Sequence, residues 1–288
     1  FSIAAFVYCS TIEPSASFWD CGEYIATANK LEVGHPPGAP LFQMIGRAFS
    51  LFAFGDVTKI AKMVNLMSAL CSAFTILFLF WSITALLRKF AETKGELTQG
   101  TIVAILGSGL VGGLVYTFSD SFWFSAVEGE VYAMSSFCTA ITFWAMLKWE
   151  RVADEEGSNR WIIFIAYLIG LSIGVHLLNL LTVPAIVFIY YFKKHNVTRK
   201  GFIITGILSV LLLGGIQNVI IPGIVSLAAN FELHFVNTWG MPYNSGTIIY
   251  FFLLIGLLIS SLMYSNHPEK DVYRNVLFAF GGTFFVFA

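Results

Sequence analysis

Long uncharged runs constrain this chain more than any other feature. Met63–Leu87, Thr101–Ser119, Val131–Leu147, Trp161–Phe192, Gly201–Pro222, Thr247–Tyr264 and Asn275–Ala288 contain no Asp, Glu, Lys or Arg, and a partial run, Phe1–Ile12, opens the chain. A helix needs roughly 20 such residues to cross a bilayer. The whole chain agrees: 57% of it is hydrophobic, 11% is charged and the mean hydropathy is +0.77, whereas soluble domains carry about 25% charged residues. Lipid offers backbone groups no partners, and a barrel would show short alternating segments, so the runs predict an all-α polytopic transmembrane bundle.

Trp161–Phe192 is too long for one span and short for two. Lys148, Arg151 and Arg160 precede it, and Lys193, Lys194, Arg199 and Lys200 follow it. The positive-inside rule puts both clusters on the cytoplasmic side, which requires an even number of crossings. The run then becomes two short helices turning near Gly174–Asn179, and about nine hydrophobic segments result. With the segments alternating, only Lys30, Arg47, Lys59 and Lys62 of the 16 Lys and Arg fall on the outer side.

The chain opens at Phe1 without a methionine and closes inside the apolar "GGTFFVFA". The expectation is one transmembrane domain over 1–288, truncated at both ends, with residues 13–40 as a first outer loop. A net charge of -1 gives no basic footprint for nucleic acid. The four cysteines stand singly, at no metal-ligand spacing, as small packing residues do. No acidic or basic residue falls in mid-span, which argues against a proton-coupled carrier.

The layout gathers acids, His and amides on the outer face. Asp20, Glu23, Glu32 and His35 lie in the first loop, Asp120, Glu128 and Glu130 in the second, His176 and Asn179 at the tip of the short pair, and Glu232 and His234 in the last. In "FWDCGEYIATANKLEVGHPPGAP" the spacing of Tyr24, Ile25, Ala28 and Leu31 predicts an amphipathic interfacial helix from Ser17 to about Val33, with Ser15 or Ser17 as its cap. Asp20 and Glu23, three apart, then share a face, and "GHPPGAP" stops the helix. Acids in a first turn are also simple dipole partners, and Glu128 and Glu130 can likewise be read as caps of the span beginning at Val131.

"TIEPSASFWDCGEYIATANKLEVGHPPGAPLF", "VNLMSAL", "AVEGEVYAMSSF" and "GVHLLNLLTVPA", in that order over nearly the whole chain, resemble a Bacteroidetes-type multi-span family long without an assigned function. That family is similar to a human multi-span protein O-mannosyltransferase and, more distantly, to the GT-C superfamily of membrane glycosyltransferases. Protein O-mannosyltransferases carry a His-Pro-Pro stretch after their first-loop acids, as here. They place those acids side by side, whereas Cys21 and Gly22 separate Asp20 from Glu23, so either can be the base.

The resemblance implies inverting transfer of mannose or a related hexose from a polyprenyl-phosphate donor to Ser/Thr hydroxyls of exported proteins, at the periplasmic face of a bacterial inner membrane. It implies Asp20 as general base, with Glu23 orienting it or placing the acceptor. Lys30, His35, Arg47 and His176 become candidates for the phosphate, with Lys59 and Lys62 weaker ones. Glu128, Glu130 and Asn179 become candidates for sugar hydroxyls or for support of the base. No resident cofactor is implied; the acids and His could recruit a divalent ion, though no dedicated cage is written in the sequence. Partners are then the bilayer, the lipid-linked donor and the acceptor protein. A transporter or flippase of lipid-linked sugars is the alternative, and would need midplane polar groups, for which Gln217, Asn218 and Asn65 are the candidates; an assembly scaffold is a third reading.

Overall fold

The computed structural model describes residues 1–36 and 38–265, which form helices and, among the described residues, no strand. In chain order the helices are α1 (Ser2–Ser10), α2 (Cys21–Lys30), α3 (Pro40–Ser50), α4 (Ile60–Glu92), α5 (Gln99–Thr117), α6 (Asp120–Val127), α7 (Val131–Val152), α8 (Asn159–Ile173), α9 (Thr182–Lys194), α10 (Arg199–Gly215), α11 (Ile221–Asn237) and α12 (Ser245–Ser265). Among the described residues, four stretches are long and apolar enough to cross a membrane: Val57–Glu92, Gln99–Thr117, Leu177–Lys194 and Arg199–Asn237. Asn159–Ile173 and Ser245–Leu257 are apolar but shorter. The expected segment at Asn275–Ala288 lies outside the described residues.

Two compact units make up the chain: 1–152 with 168–179, and 153–167 with the residues from 180 onward. In the first, α4 is the pillar against which α1, α2, α3, α5, α6 and α7 all pack. Its 33 residues span about 50 Å at 1.5 Å per residue. Small side chains let so many neighbours approach: Ser68, Ala69, Ser72 and Ala73 are all buried. From the other side, a Cβ on Gly109 of α5 would lie 2.6 Å from Thr84 Cγ2, and one on Gly112 would lie 2.7 Å from Ile83 Cδ1. The α4–α5 seam is therefore a glycine face laid on β-branched side chains.

The connections expected on the outer face hold more helix than the sequence suggests. The first contains α2, α3 and two 3₁₀ turns, Leu51–Ala53 and Val57–Lys59, where only one helix was expected. That helix is shorter than predicted. It begins at Cys21 with Asp20 as N-cap and no side-chain cap bond, because Trp19 sits in the left-handed region (φ 58°) and the Ser17 hydroxyl is bonded to Glu128. It ends at Lys30, where Leu31 turns left-handed (φ 54°). Leu31 is accordingly 59% exposed rather than part of the apolar stripe, while Tyr24, Ile25 and Ala28 are buried as expected. A further short helix, α6, fills the connection between α5 and α7.

In the second unit α9 packs on α10 and α11 on α12. The predicted break between α8 and α9 is present, as a turn at 174–176 and a 3₁₀ stretch, Leu177–Leu181. Glu232 and His234, expected in a loop, lie instead within α11. Pro222 stands in the first turn of α11, where its missing donor is tolerated, and a π-helical stretch, Ile216–Ile220, joins α10 to it. Helix then continues to Asn237, and Glu232 accepts backbone N–H bonds from Asn244 (2.5 Å) and Thr247 (3.0 Å) at the start of α12.

Gly109→Leu is expected to cost about 1–3 kcal/mol of stability, the penalty of overpacking a filled seam. Gly107→Leu, where an added Cβ meets nothing within 4 Å, is expected to cost none of it. Thermal unfolding of the two variants in the same detergent measures the difference.

Candidate active site

α2 and the chain after it bring Asp20, Glu23 and His35 together. The Glu23 carboxylate accepts the His35 backbone N–H at 2.6 Å and contacts the ring Nδ1 at 3.1 Å. A carboxylate anion only accepts, so Nδ1 carries the proton of that bond. The other ring nitrogen, Nε2, lies 3.8 Å from Asp20 Oδ2. These bonds hold the Glu23 carboxyl below the usual carboxylate range, the backbone N–H of His35 contributing most and its ring next. Asp20, with a half-exposed side chain, has no hydrogen bond to its carboxylate among the described residues. A turn closed by Gly38 N–H on the His35 carbonyl (2.8 Å) fixes the histidine. Gly34 makes room for the pair, because a Cβ there would approach Glu23 Oε1 to 3.1 Å.

The connection between α6 and α7 supplies two more acids, both buried: Glu128 is 4% and Glu130 5% exposed. Glu128 accepts the Ser17 hydroxyl, and burial pushes its carboxyl up against that bond. The Glu130 carboxyl is pushed up to about 7, by burial first and then by the charges of Glu128 and Asp20, with His35 opposing. Its Oε2 is buried with no hydrogen-bond partner among the described residues. Between the two acids, Gly129 meets Asn65: a Cβ there would stand 2.8 Å from Asn65 Oδ1. Tyr24, 7% exposed, closes the group from α2. Burial and then Glu130, Asp20 and Glu23 raise its phenol to about 12, so it stays a donor.

The other expected residues are placed differently. Arg47 is turned to the end of α2, donating to the Asn29 carbonyl (2.7 Å) and side chain (2.9 Å). Lys30 pairs with Glu32 at 3.8 Å and Lys59 with Asp56 at 2.9 Å. Lys62 is exposed. Asn179 is fully buried and donates to Ser172 Oγ at 2.9 Å and Thr142 Oγ1 at 3.4 Å, so it ties its turn to α7 and α8 and presents no surface to a substrate. His176 accepts the Leu178 N–H at 3.1 Å, lies 5.5 Å from the Tyr132 ring, and is shifted down by burial. The sequence reading missed Ser17, Tyr24, Gly34, Asn65 and Gly129 as parts of the site. Only Gly129, a glycine between two acids, carried a local sign of close approach.

Chemically, the group offers an unengaged carboxylate, a histidine clamped by a second carboxylate, and a buried carboxyl that is about half protonated at neutral pH. Asp20, Glu23 and His35 also bring one ligand atom each within 4.8 Å of the others, a donor set suited to a divalent cation.

A buried carboxyl raised from 4.5 to about 7 makes the folded state bind more protons than the unfolded one between those values. Stability therefore falls as pH rises from about 4.5 to about 7, by at most about 3 kcal/mol, and is flat beyond. Denaturation of Glu130→Gln across this range is expected to lack that decline.

Residues 20–199 match the family described as the N-terminal domain of the protein O-mannosyl-transferase TMEM260. A Dictyostelium discoideum protein named protein O-mannosyl-transferase tmem260 is 28% identical over 191 residues, which is 65% of this chain and 21% of that protein. A Mus musculus protein of the same name is 28% identical over 174 residues, 60% of this chain and 22% of that protein. The chain thus spans about a fifth of the length of these relatives. No solved structure matches. With its membrane-spanning helices and a match over more than half its length, this integral membrane protein belongs to the family of the TMEM260 protein O-mannosyl-transferase N-terminal domain.

Proposed function

We propose that the acid cluster is the catalytic centre of a protein O-mannosyltransferase, of GT-C type, that uses a polyprenyl-phosphate sugar. The observation that carries this reading is the span of the family match, 20–199, which encloses Asp20, Glu23, His35, Glu128, Glu130 and His176. Both relatives are named for transfer of mannose to proteins. The acceptor is then a Ser or Thr hydroxyl of an exported protein, and the site faces the periplasm from a bacterial inner membrane.

In an inverting displacement, the acceptor oxygen bonds to the anomeric carbon as the bond to the lipid phosphate breaks. The hydroxyl proton passes to a carboxylate within hydrogen-bond reach. Asp20 suits that role better than Glu23, whose two oxygens are both taken by His35. Glu23 then positions His35, whose Nε2 flanks Asp20. Glu130, in its protonated form, donates to a sugar hydroxyl, and Glu128 supports it from the Ser17 side. Charge on the leaving phosphate needs donors. His35 is the cation-capable group within the cluster, and a divalent cation held by Asp20, Glu23 and His35 would supply the same charge as a Lewis acid.

Of the three polar candidates for the carrier alternative, Gln217 is exposed and the other two are engaged locally. Asn65 is engaged by backbone carbonyls of the first outer connection, and Asn218 donates to its own helix at Gly214 (3.0 Å).

With purified full-length protein, a polyprenyl-phosphate mannose and a Ser/Thr peptide, Asp20→Asn is expected to lower transfer by about 10²–10⁴-fold. Glu23→Gln is expected to lose less, and both variants should elute and unfold as the parent does. A larger loss in Glu23→Gln would exchange the two roles. Transfer at the parent rate in Asp20→Asn would remove the assignment.

A further inference from the structure

The first unit has a second feature, at the end of its helices farthest from the acids. Near the last turns of α4 and α7, beside the first turns of α5, lies a cavity of about 650 Å³. Asn65, at the acid-bearing end of α4, and Arg88, in the cavity wall, are separated by about 35 Å of helix at 1.5 Å per residue. That distance exceeds the roughly 30 Å hydrocarbon core of a bilayer, so the cavity opens at the opposite membrane surface.

One face of each helix builds the wall. Trp81 and Arg88 come from α4, Ile105 from α5, and Trp144, Lys148 and Arg151 from α7. The spacings, i and i+7 on α4, and i, i+4 and i+7 on α7, align them along the cavity. No acidic side chain lines it among the described residues. One cavity cation, Arg88, is already paired, with Glu92 at 2.7 Å from its Nε, and the other nearby acid, Glu150, takes Lys89. Lys148 and Arg151 are exposed and have no ion pair among the described residues. The Lys148 ammonium lies 5.6 Å from the Trp144 ring centre, and that ring lies 5.6 Å from Trp81. The wall thus pairs cations at the water edge with tryptophans and aliphatic side chains below, the polarity gradient of a lipid headgroup and its chains. Topology alone accounts for cations on this side, but requires neither a concavity nor two cations left without an acid at its rim.

We propose that this cavity is a binding site for one anionic phospholipid of the leaflet opposite the acid cluster. The lipid phosphate sits against Lys148 and Arg151, beside the Glu92-paired Arg88, and the acyl chains run down the faces of α4, α5 and α7. Basic pockets between transmembrane helices hold acidic headgroups by this combination. The site is separate from sugar transfer and needs no part of that reading.

The test follows lipid binding to the full-length protein by native mass spectrometry, after delipidation and titration with phosphatidylglycerol or phosphatidylcholine. Phosphatidylglycerol is expected to be retained in preference. Each cation near the surface contributes roughly a fivefold factor, so Lys148→Gln with Arg151→Gln should weaken retention roughly 30-fold, and Lys94→Gln, outside the cavity, should not. Equal retention of the two lipids, or undiminished preference in the double variant, would overturn the proposal. Displacement by inorganic phosphate would assign the site to a free anion instead. A polyprenyl phosphate that outcompetes phosphatidylglycerol would assign it to a carrier lipid.

Discussion

Asn65, near the start of α4, is fully buried and donates its amide hydrogens to the backbone carbonyls of Glu13 (2.7 Å) and Ser15 (3.0 Å). Those two carbonyls lead directly into the strand of chain that carries Asp20. The oxygen of the same side chain faces Gly129, between the two buried acids. A single amide on the central helix thus ties down the first of the two connections from which the acid cluster is assembled and packs against the second. Ser17, held on Glu128, closes the link from the other side. A buried amide N–H left unbonded would cost about 1–3 kcal/mol, and the first connection satisfies the Asn65 donors, while Oδ1 is buried with no hydrogen-bond partner among the described residues.

That assembly explains the uneven character of the four carboxyls. Acids that stay in contact with water and gain hydrogen bonds are held ionised, as Glu23 is by His35. Acids drawn under the loops lose water and face other acids, and Glu130 is shifted to about 7. Environments that separate the titration of neighbouring carboxyls are what divides an acid from a base in a site. The left-handed Trp19 beside Asp20 belongs to the same arrangement. Backbone strain of this kind persists only where the surroundings over-determine it, and here a buried helix on one side and the Ser17–Glu128 bond on the other do so.

The sequence made the broad frame legible. Periodicity and charge located α4, α5, α7, α10 and α12, and the two basic clusters implied the break near Gly174–Asn179. The acids and His35 were visible because charge is rare in such a chain. Less legible was which polar groups meet. Lys30 and Arg47, and more weakly Lys59, are phosphate candidates by the family resemblance, and the structure gives each of them a nearby partner: Glu32, Asn29 and Asp56. Asn179 looked like a substrate ligand and is a buried tie between helices. Ser17 looked like a helix cap and spends its hydroxyl on an acid 111 positions away.

By itself, the sequence determined that this chain folds as helices in a membrane and that its chemistry collects at helix ends. The reason is that lipid forces every spanning backbone group to pair within its own helix and expels charge from the middle. Tertiary structure alone decided that Glu130 is buried beside Asp20 and His35 while Arg47 turns away. It also decided that Lys148 and Arg151 meet Arg88 and two tryptophans around one cavity. Those outcomes depend on where helices cross and on which residues are small enough, as at Gly109 and Gly129, to let them approach. Packing of that kind is set by contacts between distant segments, which no local pattern records.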